Sequence, residues 1–177
     1  PELYIGFLGV LKMGGIVQPL FSAFREDSLA TRLQDAATCV VITQRKHLPV
    51  VRRTREHLPS LRHVVVVDSE GAQLKAGEVA FALESEPRVE TFEIFPSTAE
   101  TPSVLHYTSG TTGQPKGAQH VHYSLISQYL TTKWVLDLQP DDIYWCNADP
   151  GWVTGTSYGI IGPWANGATQ AVLDAGF

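Results

Sequence analysis

Residues 2–13, ELYIGFLGVLKM, are apolar on nearly every face, and Gly14-Gly15 follows. That pattern predicts a buried helix with a glycine stop. IVQPLF reads as a short strand, which Pro19 confines to a sheet edge or a strand end. Residues 27–37, DSLATRLQDAA, predict an amphipathic helix capped by Asp27 or Ser28. TCVVIT at 38–43 and HVVVVD at 63–68 are short apolar runs, as expected of buried parallel strands. A helix over 46–58 separates them, ended by Pro59-Ser60.

This alternation of strand and helix predicts an α/β fold with a mostly parallel sheet and flanking helices. Residues 69–103 are polar and carry Pro87, Pro96 and Pro102. They read as a surface connection with one short helix near 78–84, and as a candidate subdomain seam. The pattern then resumes, with a strand at SVLHYT, a loop over 109–118 and a helix over 119–136. That helix would carry Val121, Leu125, Ile126, Tyr129, Leu130 and Trp134 at helical spacing, a core face. Strands are expected at 142–148 and 169–174, with the turn DPGWVTG and the apolar stretch SYGIIGPWANG between them.

Composition narrows the function. The chain has 177 residues, 44% hydrophobic and 18% charged, which suits one packed domain or slightly more. Its formal net charge of −5 argues against a general nucleic-acid binder. The densest basic stretch, 45–57, has Leu48, Val50 and Val51 as a buried stripe, so its charges are expected to be a solvated helix face. Cys39 and Cys146 belong to no CxxC motif and are expected to be buried, reduced thiols of a cytoplasmic protein. No run approaches the ~18 apolar residues of a membrane-spanning helix. The chain begins at Pro1 without Met and stops at Phe177 directly after a strand-like segment, so a piece of a longer protein is expected.

The chemistry concentrates in residues 107–117, YTSGTTGQPKG, a run rich in Thr, Ser and Gly with a single Lys. Placed between a strand and a helix, such a loop is suited to an anion. Glycines admit close backbone approach, hydroxyls donate to phosphate oxygens, and lysine adds a point charge. It is not a P-loop, because Pro115 stands where the second glycine belongs and Gly117 follows the lysine. G-x-G-x-x-G also fails. Composition alone leaves open a Gly/Thr/Pro surface loop that binds nothing.

The particular string closes that choice. YTSGTTGQPKG resembles, residue for residue, the phosphate-loop signature of the adenylate-forming enzymes: acyl-CoA synthetases, luciferases and peptide-synthetase adenylation domains. DIYWCNADPGWVTGTSYGIIGPWANGAT (142–169) resembles the acetyl-CoA synthetase branch. The resemblance covers essentially the whole chain, with its specific motifs in 104–169. It implies a partial large N-terminal, AMP-binding domain over 1–177, with the C-terminal domain outside this sequence.

It also implies AMP-forming ligation of acetate to coenzyme A, with ATP, Mg²⁺ and coenzyme A as substrates and cofactors. By position, Thr108, Ser109, Gly110, Thr111, Thr112, Gly113 and Lys116 would contact the ATP phosphates. Trp152, Val153 and Thr154 would line the acyl pocket, with Thr154 near the coenzyme A thiol. Thr156 departs from the family pattern, in which many relatives have His. The catalytic lysine and the metal-binding acid are expected beyond Phe177. Other acids, such as propionate or a medium-chain acid, and a non-catalytic nucleotide-binding remnant are the rival readings. His120 and His122 would point apart on a helix, so no metal pair is expected there.

Overall fold

The computed structural model describes residues 1–81, 91–109 and 113–173. They fall into two compact units, one of Pro1–Gly6, Ser22–Ile94 and Tyr107–Gly117, the other of Phe7–Phe21, Phe95–His106 and Ala118–Phe177.

The first unit is built on a three-stranded sheet. Strands β1 (Val40–Thr43), β2 (His63–Val66) and β3 (Glu78–Ala80) lie in that order. Both pairings are parallel, with Val40 opposite His63 and Val64 opposite Glu78. Helix α2 (Glu26–Asp35) precedes the sheet, and α3 (Leu48–Arg55) makes the crossover from β1 to β2. Leu33 on α2, Val51 on α3, and Val64 and Val66 on β2 are buried. Each such side chain contributes on the order of 1.5–3 kcal/mol through burial.

Several expectations change here. Residues 78–80 form a strand, not the start of a helix, because the open edge of β2 needs partners. Val64 donates its N–H to the Gly77 carbonyl at 2.9 Å, and Phe81 donates to Val66 at 2.9 Å. Residues 82–84 of the expected helix lie outside the described residues. Strand β1 is less buried than expected: Val40 and Ile42 are exposed, since β1 is an end strand of this sheet. Cys39, at its entry, is an exposed free thiol, not a buried one. Helix α2 starts one residue earlier than expected, with no side-chain cap.

The basic stretch is more than a solvated face. Arg52 is paired with Glu78. Arg55 donates to the carbonyls of Leu61, Ala76 and Arg62 at 2.8–3.1 Å. Arg53 reaches Glu26 at the surface.

Helix α1 (Glu2–Lys12) ends as its sequence predicts. Gly14 takes φ +75°, its N–H bonds the Leu11 carbonyl, and that of Gly15 bonds Val10. The helix buries Phe7, but Leu3, Ile5 and Leu8 are exposed.

In the second unit the expected strand IVQPLF shrinks to a single parallel bridge between Val17 and Val104, because Pro19 has no N–H to extend it. Strand β4 (Pro102–Thr108) pairs with β5 (Lys116–Val121). Joined by so short a connection, the two can only form a hairpin. The helix expected from 119 therefore begins later, as α4 (Ser124–Thr131), and continues into a π-helical turn, Thr132–Leu136. Trp134 and Leu125, assigned to a core face, are exposed. Strands β6 (Ile143–Tyr144) and β7 (Thr169–Gln170) pair in parallel. Between them run α5 (Val153–Thr156), a π turn (Ser157–Ile161) and α6 (Gly162–Ala165). Ile160, Thr132, Thr156 and Pro163 form the buried centre.

Candidate functional site

The Thr/Gly-rich segment joins β4 to β5. Its surroundings are thus two strands, not a strand and a helix, and α4 starts only at Ser124. The segment therefore does not lead directly into a helix N-terminus. Burial along β4 ends abruptly. His106 is 3% exposed, whereas Thr108 and Ser109 are open to solvent. Beyond them, Gly110, Thr111 and Thr112 lie outside the described residues. Gly113 has φ +82°, and a Cβ built on it would meet nothing within 4 Å. That conformation requires glycine, and the surrounding space leaves its backbone accessible. Lys116 opens β5 with its side chain exposed. Thr108, Ser109, Gly113 and Lys116 thus share one solvent-facing connection: two hydroxyls, bare backbone and a cation.

His106 packs edge-on against His120, ring centroids 5.7 Å apart. Burial, reinforced by the neighbouring His120, pushes His106 down to about 4, so its ring is neutral at physiological pH. Ser103 Oγ donates to the His120 carbonyl. Because 116–121 is a strand, the helical argument that set His120 and His122 apart does not apply. Among the described residues no group of three or more His, Cys, Asp or Glu side chains could hold a metal. The Tyr107 hydroxyl donates to Asp35 Oδ2 at 2.6 Å. Burial and then Asp35 hold the Tyr107 phenol protonated well above its ordinary range. Nothing in the sequence signals that pairing.

Trp152, Val153 and Thr154 come together on a second feature, in the other unit, at the mouth of α5. Asp149 organises the turn: its Oδ1 accepts from Gly151 N–H at 2.7 Å and its carbonyl from Trp152 N–H at 2.9 Å. A Cβ on Gly151 would strike the Leu20–Phe21 backbone, and one on Gly155 would strike the Asp149 carbonyl. Both glycines are required by close approach. Trp152 is 50% exposed and leans on Phe21, centroids 5.5 Å apart at 44°. Val153 and Thr154 are exposed. Thr156, in contrast, is fully buried and donates Oγ1 to the Pro150 carbonyl at 2.7 Å. Its hydroxyl is committed to the turn.

A family model, AMP-binding enzyme, matches residues 1–176, and the chain belongs to that family. Among curated relatives, it is 45% identical to acetyl-coenzyme A synthetase of Bacillus subtilis (strain 168), over 100% of this chain and 30% of that protein. It is 37% identical to the acetyl-coenzyme A synthetase of Streptomyces coelicolor, over 98% of this chain and 29% of that protein. A Brucella canis acyl-CoA synthetase crystal structure superposes with a TM-score of 0.84 at 27% identity, covering 100% of this chain and 32% of that one. The anthranilate CoA ligase AuaEII, solved with anthranoyl-AMP, gives 0.82 at 29% identity, over 96% and 32%. The chain therefore spans about 30% of the length of each of these four proteins.

Proposed function

We propose that this chain is the phosphate-loop-bearing part of an AMP-forming acyl-CoA ligase whose acid is acetate. The observation that carries the reading is the β4–β5 connection, which opens two hydroxyls, an unobstructed glycine and one cation to solvent. Those donors fit a polyphosphate and nothing apolar. Thr108, Ser109, Gly110, Thr111, Thr112, Gly113 and Lys116 would hold the outer phosphates of ATP. They neutralise charge while an acetate oxygen bonds to the α-phosphorus. The α–β bridging bond breaks and pyrophosphate leaves with the electron pair. The sulfur of coenzyme A then attacks the acetyl carbonyl, and AMP departs. Mg²⁺ would supply further neutralisation of the phosphates. Among the described residues no group of three or more His, Cys, Asp or Glu side chains could hold it.

Trp152, Val153 and Thr154 are the proposed wall of the acyl and thiol site. A bulky indole beside the acid fills volume that a longer chain would need. The Thr156 hydroxyl is buried and donated to the Pro150 carbonyl, so Thr156 is not among the proposed contacts to the acid. No helix among the described residues is long and apolar enough to cross a membrane. With a net charge of −5, nucleic acid is not among the proposed partners. The exposed thiol Cys39 suits a reducing compartment, and we place the protein in the cytoplasm. The test is acetate-dependent exchange of pyrophosphate into ATP by the full-length protein. Exchange requiring acetate supports the reading, and exchange with only longer acids, or none, overturns the choice of acetate or the chemistry itself.

A further inference from the structure

Asp35 is the last residue of α2, where a carboxylate faces the negative end of the helix dipole. An acid at that position costs stability unless something compensates. Here its Oδ2 accepts a short hydrogen bond from the Tyr107 hydroxyl, 72 positions away. Around them sits a small aromatic and cationic assembly. The Arg32 guanidinium lies 4.2 Å above the Phe24 ring and 5.9 Å from that of Tyr107. Arg32 Nη1 also donates to the Ser28 carbonyl of its own helix at 2.7 Å, which fixes the side chain along α2. Tyr107 is half-buried, and the residues after it, Thr108 and Ser109, are exposed. The chain thus passes from an anchored ring to solvent-facing hydroxyls within one residue.

We propose that Asp35 and Tyr107 form a clasp that fixes the entry of the phosphate loop, so that Asp35 is a positioning residue for triphosphate binding. This rests on the functional reading above. A hydroxyl donates well to a phosphate oxygen only within a narrow range of distance and angle. Thr108 and Ser109 hold that range if the backbone one residue before them is immobile. The clasp supplies that anchor from α2, outside the loop motif. Tyr107 and Asp35 touch no substrate in this scheme, and act through the backbone of Thr108.

The experiment uses the full-length protein with Tyr107→Phe, Asp35→Ala, Asp35→Asn and the Tyr107→Phe/Asp35→Ala double variant. The KM for ATP in pyrophosphate exchange should rise about tenfold in each of Tyr107→Phe and Asp35→Ala. The KM for acetate and kcat should stay within about twofold. The double variant should be no worse than either single one, since both remove one interaction. Asp35→Asn keeps a carbonyl acceptor for the tyrosine hydroxyl and should recover most of the loss.

Amide hydrogen exchange over 107–109 should quicken in Tyr107→Phe without any ligand. Unchanged ATP KM in both single variants, or effects that multiply in the double, would overturn the clasp. A wild-type protein inactive with ATP would instead sink the functional reading. The clasp would then stand or fall on the hydrogen-exchange arm alone.

Discussion

Removing the carboxylate of Glu78 should weaken the first unit by an amount that depends on pH in a defined window. Glu78 begins β3, and its side chain is 1% exposed. Its two oxygens accept from Arg52 Nε and Nη2, both at 2.7 Å, and Oε2 also accepts from the Lys75 N–H at 2.8 Å. The Arg52 hydrogen bond holds the carboxyl at about 2, against an ordinary 4.5. A depression of that size corresponds to roughly 3 kcal/mol at neutral pH. Arg52 is 27% exposed, and solvent reaching it screens the pair, so about 2 kcal/mol is the expected net value.

Because the folded pKa lies below the unfolded one, this stability is fully present above pH 4.5. It is lost as pH falls through 4.5 toward 2. Urea unfolding at pH 7, 5 and 3, followed by hydrogen exchange of the β2 amides, reads it out. Glu78→Gln should cost about 2 kcal/mol at pH 7 and progressively less toward pH 3. Arg52→Met should cost more at pH 7, about 3–5 kcal/mol, because it strands a buried charge. The two changes together should cost less than their sum. A Glu78→Gln penalty identical at pH 7 and pH 3, or strictly additive changes, would show that the Arg52–Glu78 pair does not carry this stability.

Other predictions follow from the same contacts. His106, held near 4 by burial, stays neutral while its unfolded counterpart takes up a proton below 6.5. His106→Phe should flatten the loss of stability between pH 6.5 and 4, as measured by urea midpoints. Gly162→Ala would drive a methyl group into Thr132 Oγ1, and should lower stability by about 1–3 kcal/mol in a thermal melt. Phe21→Ala removes the ring against Trp152. In the full-length protein it should shift the kcat/KM ratio for acetate over propionate toward propionate, with the ATP KM unchanged.

Much of the first unit was legible because its signals are local. The runs CVVIT and VVVV, set on either side of an amphipathic segment, predict parallel strands and a crossover helix, and β1, α3 and β2 match. Strand β3 was illegible because its defining feature, a glutamate, is unfavourable in an isolated strand. Its charge is satisfied by an arginine 26 positions earlier. Of the residues of β5, 116–118 were read as loop and 119–121 as helix, because the apolar spacing of 121–134 extends back to them. The edge of β4 offers ladder hydrogen bonds that propensity does not register. In the candidate site, the hydroxyls, glycine and lysine of the loop were visible as a string. The Asp35–Tyr107 pair was not, since contact across 72 positions leaves no trace in one sequence. The partnership of Phe21 with Trp152 was hidden for the same reason.

The most direct measurement is a crystal structure of the full-length protein with bound ATP. Outer-phosphate oxygens should lie within about 3.2 Å of a Thr108–Thr112 hydroxyl or backbone N–H, and of Lys116 Nζ. A triphosphate seated well away from the β4–β5 connection, with Lys116 turned to bulk solvent, would contradict it.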